Sequence, residues 1–164
     1  TFSRQKRVSF EEIPCFIEGS GEEETDAIEA LASQLSHRVY RLSSEARKYL
    51  HLSAVFACNF VNHCYAISAE LLEKHGIPFD VMLPLIDETA AKVHQMLPKD
   101  AQTGPAVRYD ENVIRAQSQL LKNNPLVKDI YDRMSMNIHR LSEEFNSFTN
   151  HKVPSSKYDK LRFR

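Results

Sequence analysis

The chain has 164 residues and a mass of 18.9 kDa, enough for one ordinary domain or one domain plus part of another, burying roughly 70% of its unfolded surface. Hydrophobic residues at 42%, charged residues at 26% and only 4 Gly and 7 Pro exclude collagen-like and linker-like chains and point to a mainly helical protein. With 21 basic against 22 acidic side chains the formal charge is −1, so no global positive field draws nucleic acid or an anionic membrane surface, and neither partner is expected.

In chain order, Pro14 to Glu18 is a short apolar run with an aromatic and a β-branched residue, closed by Gly19-Ser20-Gly21. It reads as a buried strand and its exit turn. The acids Glu22, Glu23, Glu24 and Asp26 then open a helix of about three turns whose apolar residues are Ala27, Ile28, Leu31, Ala32 and Leu35. His37 to Leu42, with Val39, Tyr40 and Leu42, reads as a second strand. Strand, helix and strand imply a parallel pair with a right-handed crossover. Parallel sheets need both faces covered and further strands beside them, so the chain reads as the C-terminal part of a longer protein.

Ser44 is a candidate N-cap for a helix through Leu50, Ala54, Ala57, Cys58, Val61, Tyr65, Ala69 and Leu72, with Gly76 at the left-handed cap position. Glu45 to His75 is 31 residues, roughly 46 Å of helix. From Leu52 to Val61 the apolar residues lie nearly all round the cylinder, the pattern of a central helix buried on most sides. Phe79 to Leu97 gives a third helix with Pro84 near its first turn, and Pro98 ends it. A loop over residues 98–110 holds Thr103-Gly104-Pro105, and Asp110 can cap a fourth helix over Val113, Ile114, Ala116, Leu120 and Leu121. Asn123-Asn124-Pro125 starts a fifth, with Leu126, Ile130, Met134, Ile138, Leu141 and Phe145 on its inner face. The tail from Asn150 is basic, carrying Lys152, Lys157, Lys160, Arg162 and Arg164, and is expected to be mobile.

No apolar run approaches the roughly 20 residues that span a bilayer, and the N-terminus lacks an apolar signal core, so a soluble, cytoplasmic protein is expected. Cys15, Cys58 and Cys64 are odd in number and lack CxxC spacing. They read as reduced core cysteines, and no metal site is expected. His63, His94 and His139 likewise show no ligand spacing.

Gly19-Ser20-Gly21 stands where a glycine-rich turn would hold a dinucleotide pyrophosphate, but the third glycine position is Glu24. Glu18, Glu22, Glu23, Glu24, Asp26 and Glu29 surround the turn with no Lys or Arg among them, which would repel phosphate. A solvated strand-to-helix turn is the expectation there.

On the long helix, His51, Asn59 and Asn62 fall within about 80° of one another at 100° per residue, a polar stripe on an apolar cylinder. Either each side chain bridges neighbouring backbone, or the stripe faces a cleft and presents an acid/base imidazole and two amides to a ligand. Thr103 could approach a substrate from its loop, or Thr103-Gly104-Pro105 could be a tight turn between helices.

Three segments carry a resemblance: Ala54-Val55-Phe56-Ala57-Cys58-Asn59-Phe60-Val61-Asn62-His63, Leu83-Pro84-Leu85-Ile86-Asp87-Glu88-Thr89, and Thr103-Gly104-Pro105-Ala106 with Arg108-Tyr109-Asp110. Over about residues 1–148 the chain resembles the C-terminal region of a bacterial family of Rossmann-like NADP oxidoreductases of unassigned substrate. In plan that family is similar to pyrroline-5-carboxylate reductase and to the 6-phosphogluconate dehydrogenase C-terminal class. The resemblance implies three regions: residues 1–43 as the end of an NADP-binding Rossmann domain, residues 44–149 as a helical dimerisation and substrate domain, and residues 150–164 as a tail. It also implies a homodimer acting on a small molecule, with the nucleotide-binding glycine turn in a part of the family's fold that this sequence does not contain. Relatives place a Lys and an Asn near the start of the long helix; this chain offers His51 and Asn59 instead, so the relatives' hydride-transfer chemistry does not carry over residue by residue. On this reading His51 is the candidate catalytic residue, with Asn59, Asn62 and Thr103 in the substrate and cofactor cleft. The alternative is a non-catalytic helical dimerisation or adaptor module.

Overall fold

The computed structural model describes residues 8–150, with side-chain surroundings for residues 8–144. The residues divide into two compact units, one up to Ser68 and one from Ala69. The division falls inside a helix, whereas the family resemblance implies a boundary after residue 43. The basic tail beyond Asn150 lies outside the described residues.

The first unit begins with β1 (Cys15–Ile17), α1 (Glu22–Ala32) and β2 (Val39–Arg41). The strands pair in parallel with Cys15 opposite Val39, Phe16 opposite Tyr40 and Ile17 opposite Arg41. Among the described residues they form a two-stranded sheet, so each has one unpaired edge. This is the strand-helix-strand remnant the sequence implies. Side chains alternate across a strand, and Ile17 and Arg41 face α1, to whose acids Arg41 is bonded. The opposite face carries the stacked rings of Phe16 and Tyr40, 5.6 Å apart and both partly exposed. Ser36, 2% exposed, ties the segment before β1 to the one before β2. Its hydroxyl donates to Ile13 O at 2.6 Å and accepts from Arg38 N at 3.0 Å.

After β2 the chain is helical without a break from Ser44 through α2 (Ser44–Ala54), a π-helical segment (Val55–Phe60) and α3 (Val61–Glu73). The N-cap is Ser43, whose hydroxyl accepts from Ala46 N at 3.3 Å. The expected cap, Ser44, instead turns its hydroxyl to Glu18 at 2.5 Å. Gly76 closes α3 at φ 68°, with Ile77 N donating to Leu72 O at 3.1 Å. The expected burial of the Leu52–Val61 stretch is not found within the chain, for Phe56 is 60% exposed and Leu52, Phe60 and Val61 are exposed as well. An all-round apolar helix must be covered, but its periodicity does not say by which surface.

The second unit opens with a 3-10 turn (Phe79–Met82) and α4 (Leu83–Gln95), with Pro84 in the first turn as expected. Met96 is already extended, and Pro98 starts the short helix α5 (Pro98–Ala101) within the segment expected to be loop. Asp110 caps α6 (Glu111–Leu120) as the sequence predicts, accepting from Val113 N at 3.2 Å. Pro125 begins α7 (Pro125–Asn150), where Asn124 Oδ1 accepts from Val127 N at 3.4 Å.

The covered stripe of α7 differs from the expected one. It keeps the expected Ile130 and Ile138 but otherwise runs through Tyr131, Asp132, Ser135 and Ser142, while Leu126, Met134 and Leu141 are exposed and Phe145 lies outside the described side chains. Helices α6 and α7 pack on small and hydrogen-bonding residues. Ser118 and Ser135 are buried, and Tyr131 Oη donates to Gln117 Oε1 at 2.7 Å.

Candidate functional site

The turn after β1 is built around Thr25. Its hydroxyl accepts from Gly19 N at 3.1 Å and donates to Gly21 O at 2.7 Å. A Cβ on Gly19 would lie 2.6 Å from Thr25 N, so the turn requires glycine there for internal packing. Four of the six acids around it are compensated, contrary to the sequence reading. Arg41 from β2 reaches Glu22 at 3.0 Å, Asp26 at 2.5 Å and Glu29 at 2.5 Å, and Arg47 from α2 pairs with Glu18. The Ser44 hydroxyl and Arg47 hold the Glu18 carboxyl below the usual carboxylate range. Sequence proximity misses both arginines because they sit on later elements that folding brings to the turn.

These contacts decide whether the turn fits a dinucleotide. The Gly19 amide is already committed to Thr25, and the arginines are committed to carboxylates. The turn therefore does not fit a pyrophosphate, whose binding needs spare positive charge.

His51 lies on α2, Asn59 in the π-helical segment and Asn62 in the first turn of α3, all exposed. Among the described residues none is hydrogen-bonded to these three side chains, so the bridging of backbone that a buried stripe would need is not what the chain shows. The π-helical segment also alters the stripe. One residue inserted into a helical turn rotates the residues beyond it by about 100°, placing Asn62 roughly 80° from His51 instead of roughly 20°. No residue pattern in the sequence announces that insertion. Thr103 is exposed and belongs to the second unit, where its carbonyl accepts from Gln102 Nε2 at 3.1 Å.

Sequence reasoning gave Tyr109 and His139 no site role. Tyr109 holds a left-handed backbone at φ 51°, which non-glycine residues seldom adopt. Its ring stacks on the His139 imidazole with centroids 4.2 Å apart. His139 Nε2 is 3.5 Å from Glu143, while Nδ1 is buried with no hydrogen-bond partner among the described residues. Cys15, Cys58 and Cys64 are free thiols, and Cys58 is exposed instead of in a core. Among the described residues no group of three or more His, Cys, Asp or Glu is placed to hold a metal, and no helix is long and apolar enough to cross a membrane.

A parallel β-α-β unit followed by a helical region is thus the class of protein this chain defines: a partial Rossmann-type layer joined to an all-α part. Residues 13–138 match the family described as a domain of unknown function (DUF2520), and the chain belongs to that family. A crystal structure from Bacteroides fragilis, described as a "putative NADP oxidoreductase", is 58% identical, with a TM-score of 0.78 over 85% of this chain and 54% of that one. A protein from Thermotoga maritima, at 22% identity and a TM-score of 0.66 over 76% of this chain and 51% of that one, shares the fold. The chain thus spans about half the length of these structures. A search of curated proteins gives no match.

Proposed function

We propose that this chain is the C-terminal part of an NADP-dependent oxidoreductase, contributing dimerisation and one wall of the substrate cleft. The observation that carries the reading is the 58% identity, across 85% of the chain, to the Bacteroides protein described as an NADP oxidoreductase. The arrangement in which a βαβ unit leads into a long helix also fits the plan of pyrroline-5-carboxylate reductase and the 6-phosphogluconate dehydrogenase C-terminal class. The glycine turn of this chain does not fit the cofactor's phosphates, so on this reading they are held by residues outside it, and the chain's own part is to shape and close the cleft.

Within that cleft His51 is the proton-transfer candidate, because imidazole is the one side chain whose ordinary titration falls near neutrality. The Asn59 and Asn62 amides would orient a carbonyl or hydroxyl of a small substrate. The π-helical insertion at Asn59 agrees with a ligand-facing role, since such insertions recur at functional sites. The exposed Leu52, Phe56, Phe60 and Val61 supply an apolar surface for a second copy of the chain.

Titration of the full-length protein with NADPH tests the reading. Saturable binding is expected, with His51→Gln leaving the melting temperature nearly unchanged while weakening substrate turnover at least tenfold. No NADPH binding by folded protein would leave the non-catalytic dimerisation module in its place, and normal turnover by His51→Gln would remove the imidazole from the mechanism.

A further inference from the structure

A cavity of about 350 Å³ lies within the second unit, between α5, the segment leading to α6, and α7. Val107, Ile138 and Leu141 give it apolar walls, and Lys99, Gln102 and Ser142 are its polar lining residues. The size is at the lower end of small-molecule sites, and apolar walls with a few polar groups are their usual composition.

The α7 wall is tied to the segment before α6 at two places. The Ser142 hydroxyl lies 2.7 Å from His139 O and 3.4 Å from Val107 O. Two residues after Val107, the left-handed Tyr109 stacks on His139. Walls held in this way lose little freedom when a ligand enters, which favours binding.

Hydrogen bonding decides the ligand class, because the donors of the lining side chains already have acceptors. Lys99 pairs with Asp100 at 3.2 Å and is engaged beyond that pair. The Ser142 hydroxyl donates to backbone carbonyls, and Gln102 Nε2 donates to Thr103 O at 3.1 Å. Gln102 Oε1 is left as an acceptor without a partner among the described residues. An anion entering the cavity would exchange its hydration for apolar walls and committed donors, at a net cost. A neutral molecule with a hydroxyl donor meets the opposite situation, since the group it must satisfy is the one the cavity leaves open. We propose that this cavity is a binding site for a small, neutral, apolar molecule bearing one hydroxyl, which donates to Gln102 Oε1 while the apolar body rests on Val107, Ile138 and Leu141. The site goes beyond the oxidoreductase reading and is independent of it, since it uses neither a dinucleotide nor the first unit.

The test is titration of the full-length protein at pH 7 with 4-methylphenol, its methyl ether 4-methylanisole, and 4-methylbenzoate, followed by calorimetry and by amide hydrogen exchange. Saturable binding of 4-methylphenol is expected, at least threefold tighter than the ether and at least tenfold tighter than the carboxylate, with slowed exchange confined to residues 98–107 and 138–142. Gln102→Met, at an exposed position, should abolish the preference for the phenol over the ether, and the comparison of the three probes on the unmutated protein stands even if that variant folds poorly. Absence of saturable 4-methylphenol binding, equal or tighter binding of 4-methylbenzoate, an unchanged preference in Gln102→Met, or protection centred elsewhere would overturn the proposal. Because no NADPH enters this experiment, its failure leaves the oxidoreductase reading standing, and failure of that reading leaves this site standing.

Discussion

Arg41 and Glu29, twelve residues apart, meet through two guanidinium nitrogens on one carboxylate oxygen. Nε lies 2.8 Å and Nη2 2.5 Å from Glu29 Oε2. The same side chain reaches Asp26 and Glu22, so a single cation from β2 gathers three acids along α1. Hydrogen bonding first to Glu29 and then to Asp26 pushes the Arg41 pKa further above its already high value. An acidic helix is thereby fixed to a strand with little other covering.

Arg41→Ala should lower the melting temperature and loosen α1 from the strand pair, because it leaves three like charges on one helix face. The cluster is partly exposed, so salt should screen both the attraction and the repulsion. Thermal melts in low salt and in 1 M NaCl, where the screening length is about 3 Å, should show the difference from wild type shrinking with salt. A difference that does not change with salt would mean that Arg41 acts through packing.

The two glycines of the turn should respond differently to alanine. At Gly19 the new methyl meets the backbone of Thr25 and Glu24, at 2.6 and 2.9 Å, which cannot move cheaply. At Gly21 its nearest contact is the Glu24 carboxylate at 2.8 Å, the end of a flexible side chain. Gly19→Ala is expected to destabilise by roughly 1–3 kcal/mol, as overpacking does, and Gly21→Ala by distinctly less. Urea denaturation of both variants measures the contrast.

Asp132 joins α7 to α6 and should give the protein part of its acid sensitivity. Hydrogen bonds, first from Lys128 and then from Ser118, hold its carboxyl below the ordinary range. A carboxylate whose folded pKa is depressed contributes stability above its unfolded pKa, about 3.9, and loses it as pH falls through the folded value. Asp132→Asn should therefore be less stable than wild type at pH 7, and the two stabilities should converge as pH falls below the unfolded pKa and through the folded one. Parallel melts across that range check the sign.

At Tyr109 the backbone and the ring pull in different directions, and a pair of variants separates them. Tyr109→Ala and Tyr109→Gly both lose the stack on His139, but only glycine adopts φ 51° without a steric penalty. The Gly variant should be the more stable of the two by about 1 kcal/mol, read from chemical denaturation. Equal stabilities would show that the segment relaxes out of the left-handed region once the ring is gone.

Local signals in the sequence were reliable where the chemistry is local. Asp110 caps α6, Pro125 opens α7, Gly76 closes α3 and the parallel strand-helix-strand order stands, because caps, proline and glycine act on backbone within a few residues. Hydrophobic periodicity also located the long helical stretch. It did not show that Val55–Phe60 is π-helical, that Leu52 and Phe56 stay exposed within the chain, or that α7 turns Ser135 inward in place of Met134.

Those features depend on what packs against each face, which no local pattern encodes. Charge shows the same division. Six acids surround one turn in the sequence, yet only the folded chain brings Arg41 and Arg47 to four of them, across 12 to 29 residues. Likewise Thr103 and Tyr109 share one loop in the sequence, but it is α7, through His139, that makes Tyr109 the residue with a tertiary partner. Backbone conformation is chosen by neighbours along the chain, whereas exposure, charge compensation and cavities are decided by neighbours in space.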